Sequence, residues 1–120
     1  MILSNEIVNS FREYGATLLP QVIPMGWVEE LRKGLEYNMS TPGKYTRNYT
    51  DKNAPGGFFG DYCNWNRIPE YKRFFFESPA ASFASQLMGS SKVNLFHEHV
   101  LVKEPGTLDR TPWHHDQPYY

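Results

Sequence analysis

The sequence predicts an α+β fold, and three observations carry that prediction. Apolar residues recur at helical spacing between residues 5 and 38. A stretch of alternating, strand-like sequence occupies residues 92–103. The order runs helices first and strands afterwards, which argues against the βαβ alternation of a parallel sheet.

Residues 5–14 read as a helix. Ser4 can cap it, Ile7, Phe11 and Tyr14 fall on one face, and Gly15 can end it. Residues 16–19, Ala-Thr-Leu-Leu, read as a short strand stopped by Pro20. A second helix is expected from about Pro24 to Asn38, with proline in its first turn, an apolar stripe of Val28, Leu31 and Leu35, and a supportive Glu29–Lys33 pair. Residues 40–57 read as a long loop between Thr41-Pro42-Gly43 and Pro55-Gly56-Gly57. Loops of that length in a compact domain are usually functional or disordered. Two short helices follow near 69–76 and 79–88, with Pro69 and Pro79 in their first turns and Gly89 as the stop.

Residues 92–103 read as one extended strand. One face carries Val93, Leu95, His97, His99, Leu101 and Lys103, and the other carries Asn94, Phe96, Glu98, Val100 and Val102. Neither face is cleanly apolar, so either both are buried or one lines a polar cavity. Glu104-Pro105-Gly106 begins a turn, after which the chain returns through Trp113–Tyr119.

Composition narrows the function classes. The chain has 120 residues, which suits a single domain over 1–120, and its 40% hydrophobic content can support a core. Eight Phe, eight Tyr and three Trp imply rings in a core or along a pocket. A net charge of −1 gives no electrostatic case for nucleic acid or an anionic membrane surface. No apolar run approaches the ~20 residues that cross a bilayer, and the N-terminus lacks the pattern of a signal peptide. The one cysteine, Cys63, cannot form an internal disulfide, which fits a reducing, cytoplasmic setting. It reads as a packed small residue rather than a nucleophile.

The chemistry concentrates in Trp113-His114-His115-Asp116-Gln117-Pro118-Tyr119-Tyr120. His114 and Asp116 stand two residues apart, and on an extended backbone such residues share a face. A neutral imidazole and a hard carboxylate are two thirds of the facial set that favours non-heme Fe(II). The bland alternative is a surface loop with His114 packed on a nearby ring, and on spacing alone it prevails, because H-x-D is a common triplet. His97 and His99 pose the same choice between a zinc or copper pair and one buried plus one solvated histidine. Lys103, on the face of His99, needs an anion if buried and is an ordinary strand-end lysine if exposed. Trp113, Tyr119 and Tyr120 suit a water-poor wall and equally suit core filler.

Several segments together resemble the phytanoyl-CoA dioxygenase family. They are Leu95-Phe96-His97-Glu98-His99-Val100-Leu101-Val102-Lys103-Glu104-Pro105-Gly106 and Thr111-Pro112-Trp113-His114-His115-Asp116-Gln117-Pro118-Tyr119. Phe11-Arg12-Glu13-Tyr14-Gly15 with Leu18-Leu19, Phe59-Gly60-Asp61-Tyr62, Ile68-Pro69-Glu70 and Glu77-Ser78-Pro79-Ala80 agree with it. The resemblance implies an Fe(II)- and 2-oxoglutarate-dependent dioxygenase that hydroxylates a small organic substrate. It also implies N-terminal helices packed on a double-stranded β-helix of jelly-roll or cupin type. His114 and Asp116 match the family's H-x-D iron ligands, with His115 in the variable middle position. His99 falls near a position that contacts the 2-oxoglutarate co-substrate, and Lys103 is a weaker match. Trp65 and Arg67 fall loosely where the substrate lies.

The likeness covers about the first half of a family member. The family's distal iron-binding histidine and its 2-oxoglutarate-binding arginine lie on later strands, and no residue follows Tyr120. The expectation is a truncated form, inactive alone, with an incomplete barrel. Its unpaired strand edges favour a homo-oligomer. The alternative from another class is a non-catalytic binding or assembly module that oligomerises through those edges. A third reading is a zinc site of His97, His99, His114 and Asp116.

Overall fold

A computed structural model describes residues 1–116 and Pro118. Its elements in chain order are α1 (Asn5–Tyr14), α2 (Met25–Ser40), β1 (Arg47–Asn48), β2 (Phe58–Tyr62), α3 (Pro69–Glu77), α4 (Ala80–Met88) and β3 (His99–Lys103). The three strands form one antiparallel sheet in the order β1-β2-β3. The α+β class holds.

The helices form where capping and periodicity place them. Ser4 Oγ accepts the Ile7 N–H at 3.4 Å, and Gly15 closes α1 at φ 73°, a left-handed conformation that glycine adopts freely. Pro24 caps α2, which runs on to Ser40. α1 lies against α4, and α2 against α3. The α2–α3 approach is close at Gly34, where an added Cβ would sit 2.7 Å from Tyr71 Cε1. Trp27 meets Phe74 edge-on, and Glu30 pairs with Arg73 across the same interface. The Arg73 guanidinium holds the Glu30 carboxyl below its ordinary range.

The strands depart from expectation. Residues 16–19 form no strand, because no neighbouring strand takes their backbone groups. β1 lies inside the segment expected to be all loop, and β2 sets Gly60 and Asp61, which strands usually avoid, among the strand-forming Phe58, Phe59 and Tyr62. Close approach explains the glycine: a Cβ there would lie 3.0 Å from the Tyr49 ring and 3.2 Å from Leu101. The expected strand over 92–103 shortens to five residues. Its ladder runs from Phe58↔Lys103 to Tyr62↔His99 and stops where Cys63 turns to φ 62°. Cys63 N–H still reaches the Glu98 carbonyl at 3.2 Å, but residues 92–98 belong to no strand. Within β3, Val100 and Val102 are half-buried, while His99, Leu101 and Lys103 are exposed.

A buried polar cluster joins these parts. Asn38, Asp61, Asn64 and Glu98 are all nearly inaccessible. Asp61 accepts from Asn38 Nδ2 on α2 at 2.8 Å, from Gly43 N–H at 2.7 Å and from Tyr62 N–H at 2.9 Å. Glu98 accepts from the Asn64 N–H and, at 3.1 Å, from the Trp65 N–H. Tyr71 completes the cluster by donating to Asn38 Oδ1 at 3.4 Å, and burial pushes its hydroxyl up to about 12. Burial alone would raise the Asp61 pKa, but the donors from Gly43, Asn64, Asn38 and Tyr62 outweigh it and hold the carboxyl below its ordinary 3.8.

A carboxyl depressed in the fold stabilises it fully above the unfolded-state value and ceases to do so as pH falls through the folded value. Asp61→Ala is therefore expected to lose on the order of 3 kcal/mol at neutral pH, since it strands several buried donors. Asp61→Asn is expected to flatten the loss of stability below about pH 4. Denaturant unfolding between pH 7 and pH 2.5 checks both. A wild-type acid limb unchanged in Asp61→Asn contradicts the assignment.

Candidate functional site

The exposed face of β3 forms the floor of an open cleft. His99 and Leu101 project from β3, and Phe58 and Tyr49 come from β2 and the residue after β1. Residues 109–116 arch over this floor. Two adjoining hollows of about 440 and 490 Å³ result, and both are lined by Tyr49, His99, Thr111, Pro112, His114 and Asp116. Tyr62 stacks on Tyr45 at 4.9 Å and meets the His99 ring edge-on at 5.5 Å and that of His97 at 5.9 Å, so aromatic packing orients one wall.

The arch is pinned by backbone closeness. Glu104 N–H donates to Gly57 O and Gly57 N–H to Glu104 Oε2, each at 2.9 Å. Asp51 N–H donates to Asp109 Oδ2 at 3.2 Å. Gly56 admits the crossing, because a Cβ there would sit 2.3 Å from Pro105 O.

His114 and Asp116 come together at the cleft edge, with His114 Nε2 3.3 Å from Asp116 Oδ1. The sequence expected this juxtaposition from an extended strand. The backbone at 113–116 is irregular instead, and the two groups meet through a bend. His114 Nδ1 lies 2.8 Å from Pro112 O, a contact that is a hydrogen bond when Nδ1 carries the proton. In that tautomer Nε2, beside the carboxylate, is the nitrogen with a lone pair to offer a metal. A backbone carbonyl on the far nitrogen is the usual outer partner of a metal-bound histidine. The donor set thus fits two neighbouring positions around a divalent metal. Among the described residues no three His, Cys, Asp or Glu side chains converge, so His97, His99, His114 and Asp116 do not build the four-ligand zinc site.

The family model for phytanoyl-CoA dioxygenase (PhyH) matches residues 11–120. The chain belongs to the phytanoyl-CoA dioxygenase family. No curated protein and no solved structure matches it. Membership in the phytanoyl-CoA dioxygenase family suggests an oxygenase by resemblance.

Other expected residues of this phytanoyl-CoA dioxygenase-family chain lie elsewhere. Trp65 packs on Phe76 at 5.7 Å, and Arg67 donates to Asn64 Oδ1 at 2.6 Å and Thr41 O at 2.8 Å. Neither lines the cleft. Lys103 also lies outside the lining, with its amine on Thr111 Oγ1 at 2.9 Å and Asp109 O at 3.3 Å. Trp113 is fully exposed, so it is neither wall nor core filler. The proposed roles of Tyr119 and Tyr120 lie outside the described residues. Cys63 is exposed rather than packed, and desolvation and the charges of Glu98 and Asp61 push its thiol up, which disfavours the thiolate. Tyr49, Thr111 and Arg110 line the cleft without having been singled out. Their nearness to His114 arises from the β1–β2 pairing and the arch, which sequence spacing does not encode.

Neutral His114 is expected to hold its proton on Nδ1. Ring ¹⁵N shifts check this, and a dominant Nε2–H tautomer contradicts the Pro112 contact.

Proposed function

We propose that this chain carries the H-x-D metal ligands of an Fe(II)- and 2-oxoglutarate-dependent dioxygenase that hydroxylates a small organic substrate. The observation that supports this is the meeting of His114 Nε2 and Asp116 Oδ1 at 3.3 Å on a cleft edge, in a member of an oxygenase family. When bound, Fe(II) supplies the redox chemistry that couples decarboxylation of 2-oxoglutarate to C–H hydroxylation.

The chain's own residues supply binding and shape. His114 offers its lone pair and Asp116 its charge. His99, on the floor beside them, is the contact assigned to 2-oxoglutarate. Tyr49, Phe58 and Leu101 form the apolar surface against which a substrate excludes water. The three-stranded sheet with its packed helices is, in this reading, part of a double-stranded β-helix, and residues 1–120 act as one domain. Among the described residues, His114 and Asp116 are the two protein donors brought together at the cleft.

Anaerobic titration of Fe(II), or Mn(II) in its place, into wild type, His114→Ala and Asp116→Ala tests the assignment. Each substitution is expected to weaken binding by at least about tenfold. Affinity is also expected to fall on acidification, because a protonated imidazole has no lone pair to offer. Binding unchanged in both variants contradicts the proposal.

A second reading, assembly through strand edges, is favoured by β3, an edge strand whose Leu101 is 51% exposed. A concentration-dependent dimer in sedimentation, lost in Leu101→Lys, supports it. A monomer at all concentrations removes it.

A further inference from the structure

Lys103 sits at the last register position of β3, opposite Phe58. Its ammonium lies over the Phe58 ring, 4.4 Å from its centre. From there it donates to Thr111 Oγ1 at 2.9 Å and to Asp109 O at 3.3 Å. Two of the three donors of the amine are thus spent on one segment, the arch that carries His114 and Asp116. Thr111 precedes His114 by three residues and lines both hollows.

This placement has a physical consequence. Residues 104–116 contain no helix or strand that could fix their course. A metal ligand on such a segment must be held by side-chain contacts, or binding has to order it at a cost in affinity. Asp109 is tied from two sides, by Asp51 N–H and by Lys103. Thr111, nearer the ligands, is tied by Lys103 directly to the sheet that forms the cleft floor.

We infer that Lys103 is a positioning residue: its amine hooks Asp109 and Thr111 to the end of β3 and so sets His114 and Asp116 over the cleft. It touches neither metal nor substrate. The inference rests on the reading of His114 and Asp116 as metal ligands and adds the element that makes their segment ready to bind.

The test uses the 120-residue chain with Mn(II) alone as the probe, in wild type, Lys103→Met, Lys103→Arg, Thr111→Val and His114→Ala. Backbone ¹⁵N order parameters over 109–116 are read beside Mn(II) affinity and the unfolding midpoint. Lys103→Met keeps a long unbranched side chain and removes the donors. It is expected to weaken Mn(II) binding roughly threefold to tenfold, the effect of losing charge-assisted hydrogen bonds. It should also lower the order parameters of 111–116 while the unfolding midpoint stays in place. Lys103→Arg is expected to restore both readouts, and Thr111→Val to reproduce part of the loss. Wild-type affinity in Lys103→Met, or an Arg variant as weak as the Met variant, overturns the inference. Loosened order parameters with unaltered affinity also overturn it, since the hook then serves no site. If His114→Ala binds Mn(II) as wild type does, the metal reading itself has failed. The order parameters then decide the hook alone: a fall in Lys103→Met sustains it, and no change removes it.

Discussion

A buried carboxylate with no cation beside it organises this chain. Asp61 is inaccessible to solvent, and among the described residues no ion pair reaches it. An isolated buried charge is costly, and only well-directed donors offset it. Here they come from three places at once: α2 through Asn38, the following loop through Gly43, and β2 through Tyr62. Helix, loop and strand are therefore bound to one atom group. Glu98 repeats the device one step along, gripping the backbone of Asn64 and Trp65 immediately before β3 starts. With the C-terminal end of β2 and the residues just after it fixed in this way, the β2–β3 register is anchored at the Tyr62↔His99 end. That register places His99 and Leu101 on the face that becomes the cleft floor.

The proposed metal ligands lie on the opposite kind of structure. His114 and Asp116 stand on irregular backbone, held by close crossings at Gly56 and Glu104, by Asp109, and by contacts within their own turn. The division is common in enzymes: a rigid sheet supplies the platform and a loop supplies the chemistry. It also explains why His114 and Asp116 converge although the segment is not a strand. The bend at 113–116 brings Nε2 and the carboxylate to one side, the same outcome a pleat would have given by a different route.

Much of this was legible in the sequence where the cause was local. Ser4 and Gly15 mark the ends of α1, Pro69 opens α3, and Gly89 closes α4, because caps and prolines act within one turn. The H-x-D pair was legible for the same reason, its two members being neighbours in the chain. What escaped was non-local. β2 was hidden because Gly60 and Asp61 disfavour strands unless a ring approaches one and donors from α2 surround the other. Residues 16–19 and 92–98 have strand-like sequences but no strand beside them. Lys103 shares a face with His99 by spacing, yet its amine is drawn to Thr111, a contact that exists only once the arch has folded back. Tyr49 reaches the cleft only through the β1–β2 pairing.

The central claim is that a divalent metal sits between the exposed face of β3 and the arch over residues 109–116. Paramagnetic broadening by substoichiometric Mn(II) locates such an ion directly. In the ¹H–¹⁵N spectrum, the amides of His99, Leu101, Thr111, His114 and Asp116 should broaden first, while those of α1 and α4 stay sharp. Broadening centred on another acidic surface, such as the glutamates of α2, or spread evenly over the chain, would contradict it.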